Sequence, residues 1–337
     1  MRDDTRRTPQ FIKAIRKRLE GKEGKATFLD IGTGPFALFA LVAARAGAKK
    51  VYAIEANPEA AARARAFVAK ADDIAPGQVE ILEGFTTAVT LPEKVDYMVG
   101  EIIGCIASEE NCIATMRDAQ ARFMRNPNDP YAYIPHKVQT FGAPVSYALH
   151  REILAPPRYE KLRGVPLRVN CRDKGVQMLA DPQLVEDFSF DKLPPVGRML
   201  PPNPVLSYEV QAARLEATEE FLYESLIKEE KDANTNLDAA EARNLAKLTA
   251  RSFSGMAFWP KLLLDPEGEN FVESRGVLGE PQKSHWQTLL TLMTPVPVTV
   301  AAGDVIEVRE TADLARDVTS PVKYTCAAEI RRGGAAA

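Results

Sequence analysis

Acids cluster in one short stretch of the chain, Gly100-Glu101-Ile102-Ile103-Gly104-Cys105-Ile106-Ala107-Ser108-Glu109-Glu110. The apolar run ahead of it, Lys94 to Gly100, reads as a strand, so the acids leave the carboxyl end of that strand, where open α/β sheets bind ligands. Two carboxylates separated by a loop containing Gly104 could converge on one cation, and a planar guanidinium accepts two forked carboxylates best. Such a pair suits methyl transfer to nitrogen. A guanidinium is a poor nucleophile, and fixed carboxylates both aim one nitrogen and hold positive charge on the others. The plainer alternative is a pair of helix-capping acids or a solvated loop.

A second stretch lies upstream, where Asp30-Ile31-Gly32-Thr33-Gly34-Pro35-Phe36 joins a short apolar run to an alanine-rich one. Its glycines let the backbone approach a ligand closely and bring helix-end amides to it. The complete G-x-G-x-x-G of dinucleotide binders is not there, and Glu55 ends the next predicted strand, placed to hold a ribose diol. By itself the loop is compatible with S-adenosylmethionine, with a nicotinamide nucleotide, or with a tight strand-to-helix turn. An acid at position 55 favours a free 2′-hydroxyl over a 2′-phosphate.

The elements that must position these stretches alternate. A first helix starts near Thr8 and Pro9, buries Phe11, Ile12, Ile15 and Leu19, and stops at Gly21. Strand 26–31, helix 37–46, strand 50–55, helix 59–71, strand 79–83 and strand 94–100 follow, the alternation of a parallel doubly wound sheet. After about residue 137 helices thin out and prolines multiply, predicting a second, mostly β domain. Within it, residues 214–250 carry apolar side chains at helical spacing (Leu215, Leu222, Leu226; Leu245, Leu248) among many charges. This helical insertion reads either as a solvated surface hairpin or as a partner-binding arm.

The 337 residues suffice for about two domains, and 43 Lys plus Arg against 46 Asp plus Glu give a net charge of −3, which argues for no polyanion partner. No apolar stretch reaches the roughly 18 residues of a membrane span, and the amino end lacks a signal-peptide core, so a cytoplasmic protein without membrane or nucleic-acid partners is expected. Cys105, Cys112, Cys171 and Cys326 have no metal or disulfide spacing and read as free thiols; no metal is expected.

The segments "LDIGTGPFALFALVAARAGAKKVYAIE" and "LPEKVDYMVGEIIG" resemble the core of the protein arginine methyltransferases, and Ser284-His285-Trp286-Gln287 followed by "PVPVTVAAGDVIEV" resembles that family's Thr-His-Trp loop. The resemblance is close over 1–145, fair over 250–330 and poor between. It implies a Rossmann-like seven-stranded methyltransferase domain over 1–136 and a β-barrel-like domain over 137–337, with a dimerisation arm sought in 158–193 and homodimers expected. It also implies a tyrosine-rich lid helix just ahead of residue 1, either outside this chain or dispensed with.

Carried over by position, Glu101 and Glu110 match the double-glutamate loop that grips the substrate guanidinium, with Gly104 and Cys112 beside the substrate. Asp30, Gly32, Thr33, Gly34 and Glu55 would line S-adenosylmethionine, which leaves as S-adenosyl-L-homocysteine. Arg7 would meet the methionine carboxylate, and Asp4 would hold His285 and favour its charged form while that imidazole takes up or relays a proton. Trp286 would wall the substrate channel. There are departures. Phe36 replaces the third glycine, and Thr86 and Thr87 stand where the family commonly holds adenine with an acid. The acceptor is read as arginine in proteins, with free L-arginine or another small guanidine as the alternative and a non-catalytic cofactor-binding protein as the lesser one. Ile134-Pro135-His136 and Cys112 resemble monomethylating members.

Overall fold

The computed structural model describes residues 3–150, 164–194, 197–199, 205–233, 237–275, 285–314 and 317–333. The first part is a parallel sheet of β1 (Thr27–Ile31), β2 (Lys50–Glu55), β3 (Val79–Glu83), β4 (Tyr97–Gly100) and β5 (Tyr133–Ile134), in the order β3-β2-β1-β4-β5. Its strands are apolar runs because both faces are covered; every residue of β1 is buried. The covering helices are α1 (Arg7–Leu19), α2 (Leu38–Arg45), α3 (Pro58–Ala69) and α4 (Cys112–Phe123).

The predicted alternation is present, with the class as expected but five strands in this sheet where seven are expected. β5 is only two residues long, and after a cis Ile134–Pro135 peptide the chain enters the next sheet at once. α1 starts before the predicted cap. Its first turn is capped by Asp4, whose Oδ1 accepts from the amides of Arg6 (2.9 Å) and Arg7 (2.8 Å), so Thr8 is not needed for that task. Phe11, Ile15 and Leu19 are fully buried, and Phe11 stacks on Phe39 of α2 at 5.0 Å.

The remainder contains β6 (Lys137–Tyr147), β7 (Leu167–Asn170), β8 (Val176–Met178), β9 (Gln183–Ser189), β10 (Gly197–Met199), β11 (Leu206–Glu209), α5 (Ala212–Ala233), α6 (Ala239–Ala250), β12 (Ser252–Phe253), β13 (Gly255–Leu263), β14 (Phe271–Glu273), β15 (Gln287–Leu292), β16 (Val298–Thr299), β17 (Val305–Leu314) and β18 (Lys323–Arg331). Long strands β6 and β13 pair along their whole length at the centre of a seven-stranded antiparallel sheet; β17 centres a four-stranded one. Val185, Phe258 and Leu289 of the larger sheet share one core with Leu206, Ile306 and Val308 of the smaller, so the two sheets pack face to face.

Residues 167–189, within the stretch where a dimerisation arm is sought, form β7 to β9 and hydrogen-bond into the larger sheet; 158–163 lie outside the described residues. Helices α5 and α6 occupy the predicted helical insertion. Asp238 and Glu241 close a capping box at the start of α6, and Arg243 pairs with Glu220 (2.6 Å) while lying over Tyr223. The packed stripe of α6 is Ala242, Ala246 and Ala250, while Leu245 and Leu248, which recur at helical spacing, are exposed. Among the described residues no helix is long and apolar enough to cross a membrane.

Candidate active site

β1 and β4 are neighbours although β2 and β3 lie between them in sequence, so the chain changes direction across the sheet there. Such a switch point opens a crevice above the strand ends. Here it is flanked by the glycine loop after Ile31 and the acid loop after Gly100.

Gly32 and Gly34 both have left-handed φ (+71° and +67°), which glycine alone adopts without strain. A Cβ on Gly32 would fall 2.7 Å from Ile102, so the two loops touch at a point where no larger residue fits. Asp30 is buried and ties the loop from within, accepting from Thr33 Oγ1 (2.5 Å) and the Ala40 amide (2.9 Å). Burial pushes its carboxyl up to about 7 despite those two bonds. Asp30 and Thr33 therefore shape the loop through their bond to each other. On the outer side Glu55 accepts from the amides of Gly34 (2.9 Å) and Asn57 (2.8 Å).

Beyond β3, Thr86 opens a single 3₁₀ turn and is buried. Arg122 holds its carbonyl (2.5 Å), yet Thr86 Oγ1 has no hydrogen-bond partner among the described residues. Thr87 beside it is exposed.

In the acid loop, Glu101 is buried against α1 and forms an ion pair with Arg7. Burial pushes the Glu101 carboxyl up to about 8, against the pull of the Arg7 guanidinium and with a further push from Glu110. Arg7 in turn lies over the Trp286 ring, 5.8 Å from its centroid. Glu110 opens to solvent, and its carboxylate has no hydrogen-bond donor among the described residues; partial desolvation still raises its pKa. Glu109 does something else. It folds back so that Oε2 accepts from the amides of Cys105 (2.8 Å) and Ile106 (3.1 Å), while Oε1 pairs with Arg168 of β7. A Cβ on Gly104 would lie 2.6 Å from Glu109 Cγ, so glycine makes this fold-back fit.

Trp286 and His285, from the β-rich remainder of the chain, close over the loop. The indole of Trp286 is 3% exposed and donates to the Ile103 carbonyl (2.8 Å). It braces the acid loop, and Arg7 lies over its ring, where a substrate guanidinium is expected. His285 sits beside it, ring centroids 4.8 Å apart, and Asp4 Oδ2 takes the His285 amide (2.9 Å) and lies 3.3 Å from Nδ1. Burial works against ionisation of Asp4, but bonds from His285, Arg7 and Arg6 outweigh it and hold the carboxyl well below its usual range. For His285 the balance differs from expectation: burial, helped by the charge of Arg7, outweighs Asp4 and lowers the imidazole pKa, favouring the neutral ring. Cys112 is buried at the start of α4 with its thiol on the Ala107 carbonyl (3.2 Å), beneath the loop.

No family model matches the chain. It is 34% identical over 145 residues to the protein arginine N-methyltransferase PRMT10 of Arabidopsis thaliana, a match covering 43% of this chain and 36% of that one. The chain spans about a third of the length of the curated relatives it matches. The fold superposes over 98% of this chain and 96% of the other on the open-conformation structure of Arabidopsis thaliana protein arginine methyltransferase 10 (TM-score 0.66, 18% identity). It does so over the same shares on the PRMT1 enzyme–prozyme heterotetramer of Trypanosoma brucei with AdoHcy (TM-score 0.65, 15% identity).

The chain is similar to the protein arginine N-methyltransferases, in sequence over its first part and in fold over its described length. The family implies S-adenosylmethionine, and the residues present fit it. Space is open beside Gly34, where a Cβ would meet nothing within 4 Å, Glu55 stands at the end of β2, and the buried Thr86 hydroxyl has no hydrogen-bond partner among the described residues. Two features of this loop were not legible in the sequence: the inward role of Glu109, and its partner Arg168. Gly104 and Glu109 were both visible, but nothing in sequence links either to a β7 residue far along the chain.

Proposed function

We propose that this chain transfers a methyl group from S-adenosylmethionine to a guanidinium nitrogen of arginine in a protein. The observation that carries this reading is the contrast on one loop between buried, Arg7-paired Glu101 and open Glu110, whose carboxylate has no donor of its own among the described residues. S-adenosylmethionine supplies an electrophilic sulfonium methyl. Gly32 and Gly34 would hold it by their backbone, Glu55 at the ribose, Thr86 and Thr87 at the adenine, and Arg7 at the methionine carboxylate, S-adenosyl-L-homocysteine being left.

Glu101 and Glu110 accept N–H groups of the guanidinium, keep its positive charge on the nitrogens they bind and turn the third toward the methyl donor. The methylated nitrogen must shed a proton. Glu101, its carboxyl raised to about 8 by burial, would accept it once ionised, a step favoured as pH rises toward 8, and neutral His285, oriented by Asp4, would relay the proton onward. Arg7 keeps Glu101 in place during this exchange.

A protein acceptor is favoured because the relatives are named as protein or histone arginine methyltransferases. The product is proposed to be monomethylarginine, on the resemblance at 134–136 and Cys112. The helical hairpin α5–α6 is proposed as the dimer arm in place of 158–193, because Leu245 and Leu248 are exposed on it.

The test is a paired assay with methyl-labelled S-adenosylmethionine, offering Arg/Gly-rich peptides or free L-arginine, products read by mass spectrometry. Label in peptides that is lost in Glu110→Gln supports the proposal. Label in free arginine alone moves the acceptor to small guanidines, and undiminished activity of Glu110→Gln removes the two-glutamate mechanism.

A further inference from the structure

A second cavity, of about 360 Å³, lies between the two antiparallel sheets. None of its described lining residues is assigned above to substrate or cofactor. Ile106 of the acid loop forms one wall, and Val185, Phe258 and Leu289 make the interior apolar. Two acids reach into this apolar space, Glu186 of β9 at 3% exposure and Glu310 of β17 at 7%.

The acids differ in how they are satisfied. Glu186 takes Ser108 Oγ (2.5 Å), the Ser108 amide (3.3 Å) and Thr140 Oγ1 (2.6 Å). Among the described residues Glu310 has only the Cys326 thiol on Oε1 (3.4 Å), and its buried Oε2 has no partner. No Lys, Arg or His among the described residues forms an ion pair with either acid. Buried carboxyl oxygens are nearly always satisfied, and two neighbouring acids in an apolar space raise each other's cost of ionisation. Burial accordingly pushes Glu310 up to about 7 and Glu186 upward as well. What the cavity lacks is positive charge with N–H donors, attached to an apolar body small enough for its walls.

We propose that this cavity is a second ligand site, taking a small organic cation of the amidine or amine class whose N–H groups meet Oε2 of Glu310 while its apolar body packs against Phe258 and Leu289. The proposal is independent of the methyltransferase reading, because neither Glu310 nor Glu186 belongs to the crevice above β1 and β4.

The test is calorimetric titration of the full chain with benzamidinium and with benzamide, its uncharged isostere. Glu310→Gln, Ala312→Leu and Glu101→Gln are titrated in parallel; Ala312 lines the cavity, and its enlargement fills it. The expected result is benzamidinium binding about tenfold tighter than benzamide, weakened about tenfold in Glu310→Gln and Ala312→Leu and unchanged in Glu101→Gln. Should Glu310→Gln lose its cooperative melt, Ala312→Leu carries the comparison. Binding that falls in Glu101→Gln but holds in the other two, equal affinity for benzamide, or no heat at millimolar ligand each overturns the proposal.

Discussion

Arg7 of the first helix and Glu101 of the acid loop form a buried ion pair, which ties the amino terminus of the chain to the proposed guanidinium site. The pairing offsets part of the cost of burying each group. Arg7→Met and Glu101→Met should each cost about 3–5 kcal/mol, and the double variant should recover much of that loss. Urea denaturation of the four proteins measures the coupling; additive single losses below about 1 kcal/mol would show that the pair does not hold the loop.

Thr86 separates cofactor binding from folding. Its hydroxyl is buried and unpartnered, so Thr86→Val removes an unsatisfied group at nearly constant volume and should leave or slightly raise the melting temperature. If the hydroxyl serves the adenine, the same change weakens S-adenosylmethionine about tenfold. Calorimetry and thermal melting on one preparation read both quantities, and undiminished affinity would take Thr86 out of the site.

Gly104 is where the loop's shape is most easily broken. The Cβ of Gly104→Ala collides with Glu109, which must then leave the amides of Cys105 and Ile106. Two buried donors lose their acceptor and Arg168 loses its partner, so kcat/KM for arginine peptides should fall by roughly a hundredfold with cofactor affinity unchanged. A fall in cofactor affinity of the same size would show that the damage is general.

The parallel sheet was legible because its strands and helices obey local periods, and the paired acids because they follow a strand end. Asp4 and His285 were brought together by resemblance, and the structure places them in contact across nearly the full chain. What sequence concealed is orientation. Two adjacent glutamates, 109 and 110, point to opposite duties, one satisfying loop amides and one open, and only the backbone turn between Ile106 and Asn111 decides which. The same holds for α6, where small alanines pack and the leucines do not, because close helix approach selects by size as well as by hydrophobicity.

The exposed leucines of α6 give a separable prediction. If the α5–α6 hairpin joins two copies, Leu245→Glu with Leu248→Glu buries charge in that contact and should convert a dimeric mass in light scattering to a monomeric one. The helix itself should survive, because its packed face is Ala242, Ala246 and Ala250. A wild-type chain that is already monomeric at micromolar concentration ends the proposal.

Glu310 makes stability depend on pH in a direction that can be worked out. Its carboxyl titrates at about 7 in the folded chain, against an ordinary value of 4.5. Between those values the unfolded chain has released the proton and the folded chain keeps it, so stability falls as pH rises, by roughly 3 kcal/mol once pH passes 7. Asp30, also held at about 7, adds slope of the same sign, whereas Asp4, held low, acts only in more acid solution. The groups facing Glu310, the Cys326 thiol and Glu186, are themselves shifted upward by burial and bring no positive charge to offset it. Glu310→Gln should therefore match the parent near pH 5 and exceed it near pH 7.5 in urea midpoint, with remaining slope from Asp30 and from Glu101, whose carboxyl is held at about 8. Parallel curves for the two proteins would mean that Glu310 is ionised in the folded state and that its burial is relieved by water.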